Sequence, residues 1–420
     1  MLVRAAPAVL LAAVLAAQDE PRWFKGNLHT HTLWSDGNEL PELIVDWYKR
    51  EGYHFLALSD HNVLAVGEKW VKVDTVIARG GRRSLAASKE RFGEDFVETR
   101  TGADGKVEVR LKRLDEIRAV LEEPGRFLLI PAEEISDRYE KLPIHINATN
   151  VGEAIRPQGG GSVREVMRNN LRAVKEQAVR LARPILAHLN HPNFYWAITA
   201  EDLAHVVEER FFEVFNGHPE VHQLGDEHHA AIERIWDIAN TLRIAELDAP
   251  PLYGFATDDS HNYHALNPNT ALPGRGWVMV QAPQLTAEDL IASIEAGRFY
   301  ASTGVTLDRV EFDGEELRVH IRGEPGVDYT TRFVGTRKGY DPASHPVVDA
   351  EGKEVRATRR YADEVGATLA EVGGTTPAYR VNGDELYVRA IVTSSRPHPR
   401  PTWEGQREQA WVQPVRPRRD

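Results

Sequence analysis

Five times along this chain a short apolar run stops at residues that can do chemistry. Phe55-Leu56-Ala57-Leu58-Ser59 ends at Asp60-His61, and Phe127-Leu128-Leu129-Ile130-Pro131 ends just before Glu133-Glu134. Pro184-Ile185-Leu186-Ala187 ends at His188, Phe211-Phe212-Glu213-Val214-Phe215 at Asn216-Gly217-His218, and Gly254-Phe255-Ala256-Thr257 at Asp258-Asp259. Continuous apolar runs of this length suit strands buried on both faces, and loops at the carboxyl ends of such strands converge on one pocket.

Helical patterns lie between the runs, at Pro41 to Arg50, Val163 to Ala182, from Thr199 onward, and Glu227 to Thr241, with a last one ending near Gly297. Ser162 with Glu165, Thr199 with Asp202 and Thr286 with Asp289 are amino-terminal capping signals. Strands alternating with helices predict an α/β fold with a parallel, barrel-like sheet. Residues 63–123 break the rhythm and read as an insertion over the pocket mouth. It carries a hairpin in which Phe96–Arg100 and Lys106–Leu111 flank Gly102-Ala103-Asp104-Gly105. From 305 to 420 the pattern becomes that of a small antiparallel β domain. Val310–Phe312, Leu317–Ile321, Tyr379–Val381 and Leu386–Val392 are its strands, with Asp313-Gly314 and Asn382-Gly383 as turns.

The 420 residues carry a formal net charge of −12, which argues against a nucleic-acid-binding surface. Cysteine is absent, so disulfides, thiolate nucleophiles and thiolate-bound metals are excluded. Arg4 precedes an Ala/Leu-rich run from Ala5 to Ala17, too short to span a membrane and of the length of a signal-peptide core. Residues 1–17 therefore read as a signal peptide, and the remainder as an exported protein with no integral membrane segment.

Histidines and carboxylates at ligand spacing occur in His29-Thr30-His31, Asp60-His61, His188-Leu189-Asn190-His191 and Asp258-Asp259-Ser260-His261. Residues two apart on an extended segment point the same way, so His29 and His31 form a clamp. Imidazoles and carboxylates without thiols suit Zn, Mn or Fe, and the joint pattern points to metal-assisted hydrolysis. Only one of the adjacent Glu133 and Glu134 should point inward from a strand. Asp258 and Asp259 pose the same question, and His188 and His191 compete for one role.

The order His29-x-His31, Asp36, Asp60-His61, Glu134, His145, His191-Pro192, Asp259-x-His261 resembles the PHP (polymerase and histidinol phosphatase) superfamily over about residues 24 to 303. Phe299-Tyr300-Ala301-Ser302-Thr303-Gly304, followed by a β domain, is similar to the CehA/McbA-type branch. The resemblance implies a distorted (β/α)7 TIM-like barrel spanning 18–304, holding two or three divalent metal ions. It implies that His29, His31, Glu134 and Asp259 hold one metal. Glu134, His145 and His191 would hold a second, and Asp36, His61 and His261 a third. Asp60 would orient a ligand histidine, and Asp60, His61 and His261 would serve catalysis. Glu134, Asp259 and His191 are the members of the three pairs that fit the family's motifs.

Asn62, Asn216, His218 and Arg275 are candidates for substrate contact, and Phe194-Tyr195-Trp196 for an aromatic wall. His228 and His229, on a helical pattern, read as surface. The implied activity is that of a metal-bound hydroxide attacking a small phosphate ester. Carbamate, ester or amide hydrolysis in the same site is the alternative, since one scaffold supports several chemistries. A non-catalytic surface- or carbohydrate-binding module is the third reading, supported by Trp403 and Trp411. The partner expected is a small molecule.

Overall fold

In the computed structural model, which describes residues 21–264 and 267–418, all five apolar runs contribute strands. The expected signal peptide lies outside the described residues. β1 (Arg22–Asn27), α1 (Pro41–Arg50) and β2 (Phe55–Leu58) come first. A lobe follows, made of β3 (Trp70–Lys72), α2 (Val73–Ala78), α3 (Ser84–Phe92), β4 (Thr99–Thr101), β5 (Val107–Arg110) and α4 (Leu114–Leu121). The chain returns through β6 (Leu128–Tyr139), β7 (Leu142–Thr149), α5 (Val163–Leu181), β8 (Leu186–Leu189), α6 (Ala200–His205), β9 (Phe211–Asn216), α7 (Ile232–Ala245) and β10 (Tyr253–Thr257). Then come β11 (Trp277–Ala282), α8 (Ala287–Glu295), β12 (Phe299–Ser302), β13 (Leu307–Phe312), β14 (Glu316–Ile321) and β15 (Tyr329–Arg337). β16 (Ser344–His345), β17 (Arg360–Tyr361), β18 (Ala367–Gly373), β19 (Ala378–Arg380), β20 (Glu385–Pro397) and β21 (Arg407–Val412) complete it.

The capping signals act as their chemistry dictates. Ser162 accepts from the Glu165 N–H at the start of α5, and Thr199 with Asp202 forms a reciprocal box at α6. The helix expected from Glu227 instead begins at Ile232. Asp226 Oδ1 accepts from the backbone N–H groups of His228 and His229, each at 2.8 Å, and holds those residues in a turn. His229 is not free surface either: its ring stacks on Trp196 with centroids 3.9 Å apart.

Among the described residues, thirteen strands form one mixed sheet in the order β10-β9-β8-β7-β6-β2-β1-β11-β12-β21-β20-β15-β18. It is mixed where the sequence predicts a parallel, barrel-like sheet, and its ladder is not closed. β6 and β7 form a hairpin, so β7 runs antiparallel to both of its neighbours. β11 pairs antiparallel along Arg22–Gly26 of β1, so β10 cannot ladder there. Only beyond β1 does the chain after β10 arrive, through one parallel bridge, Thr30–Ser260. The Asp259 N–H donates to His29 O and the His31 N–H to Ser260 O, both at 3.0 Å. The sheet thus curls round an apolar cluster that includes Phe24, Phe55, Ile130, Leu186, Phe211, Phe255 and Val280.

The carboxyl-terminal strands extend this same sheet, because β21 pairs with β12. β13, β14 and β19 make a separate three-stranded sheet packed over Tyr300, Phe333 and Val388. α7 locks onto this half through a buried ion pair: Asp237 accepts from Arg389 Nε at 2.7 Å, from Arg389 Nη2 at 2.6 Å and from Tyr387 OH at 2.8 Å. Asp237→Ala leaves the guanidinium buried without its counter-ion and is expected to cost about 3–5 kcal/mol, read as a lower urea midpoint. Trp411 is buried and donates to Glu233, and Trp403, half-buried, packs on the core beside it.

Candidate metal centre

Histidines and acids meet where the strands end. His29 and His31 follow β1, His61 follows β2, His191 follows β8, and Asp259 and His261 follow β10, while Glu134 and His145 lie within the β6–β7 hairpin. The two backbone bonds between the chain past β1 and the chain past β10 set His29, His31 and Asp259 side by side. His191 and Asp259 hold positive φ values of 22° and 47°, a cost that folds tolerate mainly at functional sites.

Glu134 sits at the centre. Its Oε1 lies 2.9 Å from His145 Nδ1, 3.5 Å from His191 Nε2 and 3.6 Å from His29 Nε2. Its Oε2 lies 2.7 Å from His61 Nδ1 and 3.4 Å from His31 Nε2. Asp259 Oδ1 is 3.1 Å from His31 Nε2, 3.2 Å from His29 Nε2 and 3.6 Å from His261 Nδ1. Asp36, on the loop before α1, faces His261 Nε2 and His61 Nε2 at 3.4 Å each and His31 Nδ1 at 3.7 Å. His31 and His261 stack with centroids 4.0 Å apart.

These atoms fit cations. Among the described residues, the ligand atoms of His31, Asp36, His61 and His261 lie within 4.8 Å of one another, as do those of His29, His31 and Glu134, and those of His61, Glu134 and His145. His29 Nε2, both ring nitrogens of His31, Glu134 Oε2 and His145 Nδ1 are buried without an aligned hydrogen bond. Buried polar atoms are normally satisfied, and here the missing partners converge on shared space. Burial opposes ionisation of Glu134, yet the imidazoles of His61, His145 and His29 hold its carboxyl well below the usual range. His29, His31 and His261 do the same for Asp259 against the same opposition. Burial and the neighbouring imidazoles of His261 and His61 pull His31 down to about 3. His61 goes the other way despite burial, pushed up to about 11 by Glu134 and Asp36.

The open pairs separate by direction. Glu133 points away from the cluster, its Oε1 accepting from the Ile155 N–H at 2.5 Å. Asp258 is consumed in structure: it accepts from Tyr48 OH and from the N–H groups of Gly274, Arg275 and Gly276. His188 lies beneath the site, fully buried, with Nε2 3.5 Å from Glu213 Oε1.

Four expected roles change. Asp60 accepts from the Thr32 N–H, Thr32 Oγ1 and Ser35 Oγ, so it fixes the loop carrying His31 and Asp36, and among the described residues it makes no bond to a ligand histidine. Asn62 clamps Ser136, donating to its carbonyl and accepting from its N–H, so its amide first serves the β6–β7 hairpin and keeps one exposed N–H beside His61. Asn216 is buried and donates to Glu213 Oε2 at 2.8 Å and Asp259 Oδ2 at 3.1 Å, which leaves it a support for Asp259. Arg275 is wholly buried, and its guanidinium donates to the carbonyls of Gly217, Pro268, Thr270 and Arg400. It ties loops together and has no exposed face for an anion. His218 stands at the rim, its ring 5.5 Å from that of His261. Its Nδ1 accepts from the Glu220 N–H, which puts the ring proton on Nε2.

Two further residues support the site. Glu213 Oε1 lies 2.7 Å from His29 Nδ1 and its Oε2 accepts from the His191 N–H at 2.8 Å. Asn190 donates to Glu134 Oε1 at 2.8 Å and to Asn147 Oδ1 at 3.0 Å. A lone acid in Phe-Phe-Glu-Val-Phe is the one signal that could have marked Glu213, because an unpaired carboxylate in a buried strand is costly.

No family model and no curated protein matches the chain. Among solved structures it is similar to a two-domain protein from Bacteroides vulgatus containing a predicted PHP-like metal-dependent phosphoesterase, at 13% identity and TM-score 0.37 over 89% of this chain and 90% of that one. It is also similar to a candidate metal-dependent phosphoesterase from Bifidobacterium adolescentis, at 15% identity and TM-score 0.29 over 59% of this chain and 91% of that one. Overlap this loose leaves the site geometry as the ground for a functional reading.

Proposed function

We propose that the chain is a PHP-type, metal-dependent hydrolase acting on a phosphate ester. The observation that carries it is the convergence of buried, unpartnered imidazole and carboxylate atoms on Glu134. His29, His31, Glu134 and Asp259 would hold one divalent ion, Glu134, His145 and His191 a second, and Asp36, His61 and His261 a third, with His31 shared towards the third group. Bound ions of this kind supply a nucleophilic water at neutral pH and neutralise charge on the ester oxygens. The chain supplies the rest. Glu134 and Asp259 stay ionised among the imidazoles, Glu213 and Asn190 fix ring and carboxylate orientation, and Asp60 pins the Asp36 loop. The bridge between the chain past β1 and the chain past β10 fits a distorted seven-stranded barrel as the scaffold. The Ala/Leu-rich run at residues 5–17 supports an exported site of action.

One observation favours the carbamate, ester or amide alternative. With Arg275 spent on backbone carbonyls, none of the side chains that meet on Glu134, Asp36 and Asp259 is a lysine or arginine, so a phosphoryl group would rely on the ions and imidazoles. Elemental analysis paired with turnover of p-nitrophenyl phosphate and p-nitrophenyl acetate, with and without Mn or Zn, separates the readings. Two or three metals per chain with metal-dependent phosphate release is the expected result. Bound metal with activity on the acetate alone would transfer the assignment to the alternative, and absence of stoichiometric metal would defeat both in favour of a binding module.

A further inference from the structure

Beside His145 the site opens into a cleft of about 780 Å³. One wall is the β6–β7 hairpin, with Arg138 and Pro143, and the other is Phe194 with Tyr195. That volume is large for a bare phosphoryl group and of the size that holds a whole small molecule. His145 belongs both to the cleft wall and to the group around Glu134, so the cleft continues from the metal centre.

The aromatic wall is held in place at a cost. Phe194 lies over the ligand imidazoles, its ring 4.9 Å from that of His191 and 6.4 Å from that of His145. The next two residues, Tyr195 and Trp196, both adopt left-handed backbone, with φ 52° and 54°. Bulky residues adopt that conformation only where the surroundings enforce it. Enforcement comes from Trp196, whose ring stacks between His222 at 4.5 Å and His229 at 3.9 Å. Asn193 adds bonds to the carbonyls of His222 and Ala230. The result is a Tyr195 ring that is 63% exposed at the cleft, although packing would have buried it.

We propose that this cleft binds the leaving group of the substrate, and that the leaving group is a flat, uncharged aromatic or heteroaromatic alcohol stacked on Tyr195. This rests on the hydrolytic reading above. Arg138, exposed on the facing wall, offers a cation to the second face of such a ring. Lys141 adds a second cation to this lining and Asp137 and Glu140 two carboxylates, and this balance of charge favours a neutral ring over an anionic one. In the reaction the oxygen of water bonds to phosphorus as the bond from phosphorus to the ring oxygen breaks. The electron pair leaves on that oxygen, which takes up a proton, giving inorganic phosphate and a phenol.

The test compares metal-loaded wild type with Tyr195→Ala and Tyr195→Phe on 4-methylumbelliferyl phosphate and glycerol 2-phosphate, and measures binding of 4-methylumbelliferone by fluorescence. Tyr195→Ala is expected to lower the aryl-to-glycerol ratio of kcat/KM about tenfold through KM, and to weaken 4-methylumbelliferone binding by a similar factor, while Tyr195→Phe keeps both. An unchanged ratio with unchanged binding overturns the assignment. If neither ester is turned over but 4-methylumbelliferone binds and Tyr195→Ala weakens it, the cleft assignment stands and the phosphoesterase reading falls.

Discussion

Glu134→Gln is expected to reduce turnover by about a thousandfold or more, the loss that follows when ion-based charge stabilisation of several kcal/mol disappears. The substitution keeps the shape of the side chain and removes its charge. Its two oxygens now face five imidazoles, with ring nitrogens between 2.7 and 3.6 Å away. An amide in their place lacks the negative charge that a pair of cations would share, and turns an N–H donor towards nitrogens that must offer lone pairs. Bound metal, counted by elemental analysis, is expected to fall by more than one ion per chain. Glu133→Gln is the matched control. It alters the same residue type one position away in the same strand, but its side chain faces Ile155, and burial pushes its carboxyl up to about 7. Metal content and activity are expected to survive that change within about twofold, the range of ordinary uncoupled substitutions. A silent Glu134→Gln, or a Glu133→Gln that empties the site, would show that the strand register places the wrong acid at the centre.

Much of this was legible in the sequence, and the reason is local. An apolar run that ends at Asp60-His61 or Asp258-Asp259 encodes both a buried strand and the chemistry at its end, and three helices start at capping residues that act in the structure as their side chains require. What could not be read depends on long-range pairing. β7 reverses the sheet because Leu142–Thr149 folds back on β6, and the wedge that prevents a closed ladder is β11, some 250 residues from the strand it pairs with. The same holds in the site. Arg275 and Asn216 sit in motif-like loops, but which carbonyls and carboxylates consume their donors is set by segments distant in sequence.

Glu213 shows what that distance hides, and it carries the second large effect. One buried carboxylate serves four partners. Oε1 meets His29 Nδ1 and Thr257 Oγ1, each at 2.7 Å, and Oε2 accepts from the His191 N–H and from Asn216, each at 2.8 Å. Burial opposes its ionisation, but His29 and His188 hold it below the usual carboxylate range. Its bond to Nδ1 keeps the ring proton there and leaves the Nε2 lone pair of His29 facing Glu134 and Asp259. Asn216 carries the same restraint to Asp259. Glu213→Gln removes the charge and sets an N–H against either His29 or the His191 backbone, so His29 can no longer be held in one tautomer. Metal affinity is expected to fall about 10–100-fold, measured by competition with a chelator of known strength, and excess metal is expected to restore most of kcat. That recovery distinguishes a positioning residue from a ligand, because excess metal cannot supply the charge lost in Glu134→Gln. A Glu213→Gln protein with lowered Tm but unchanged metal affinity would reduce the residue to a packing role and leave His29 oriented by the strand alone.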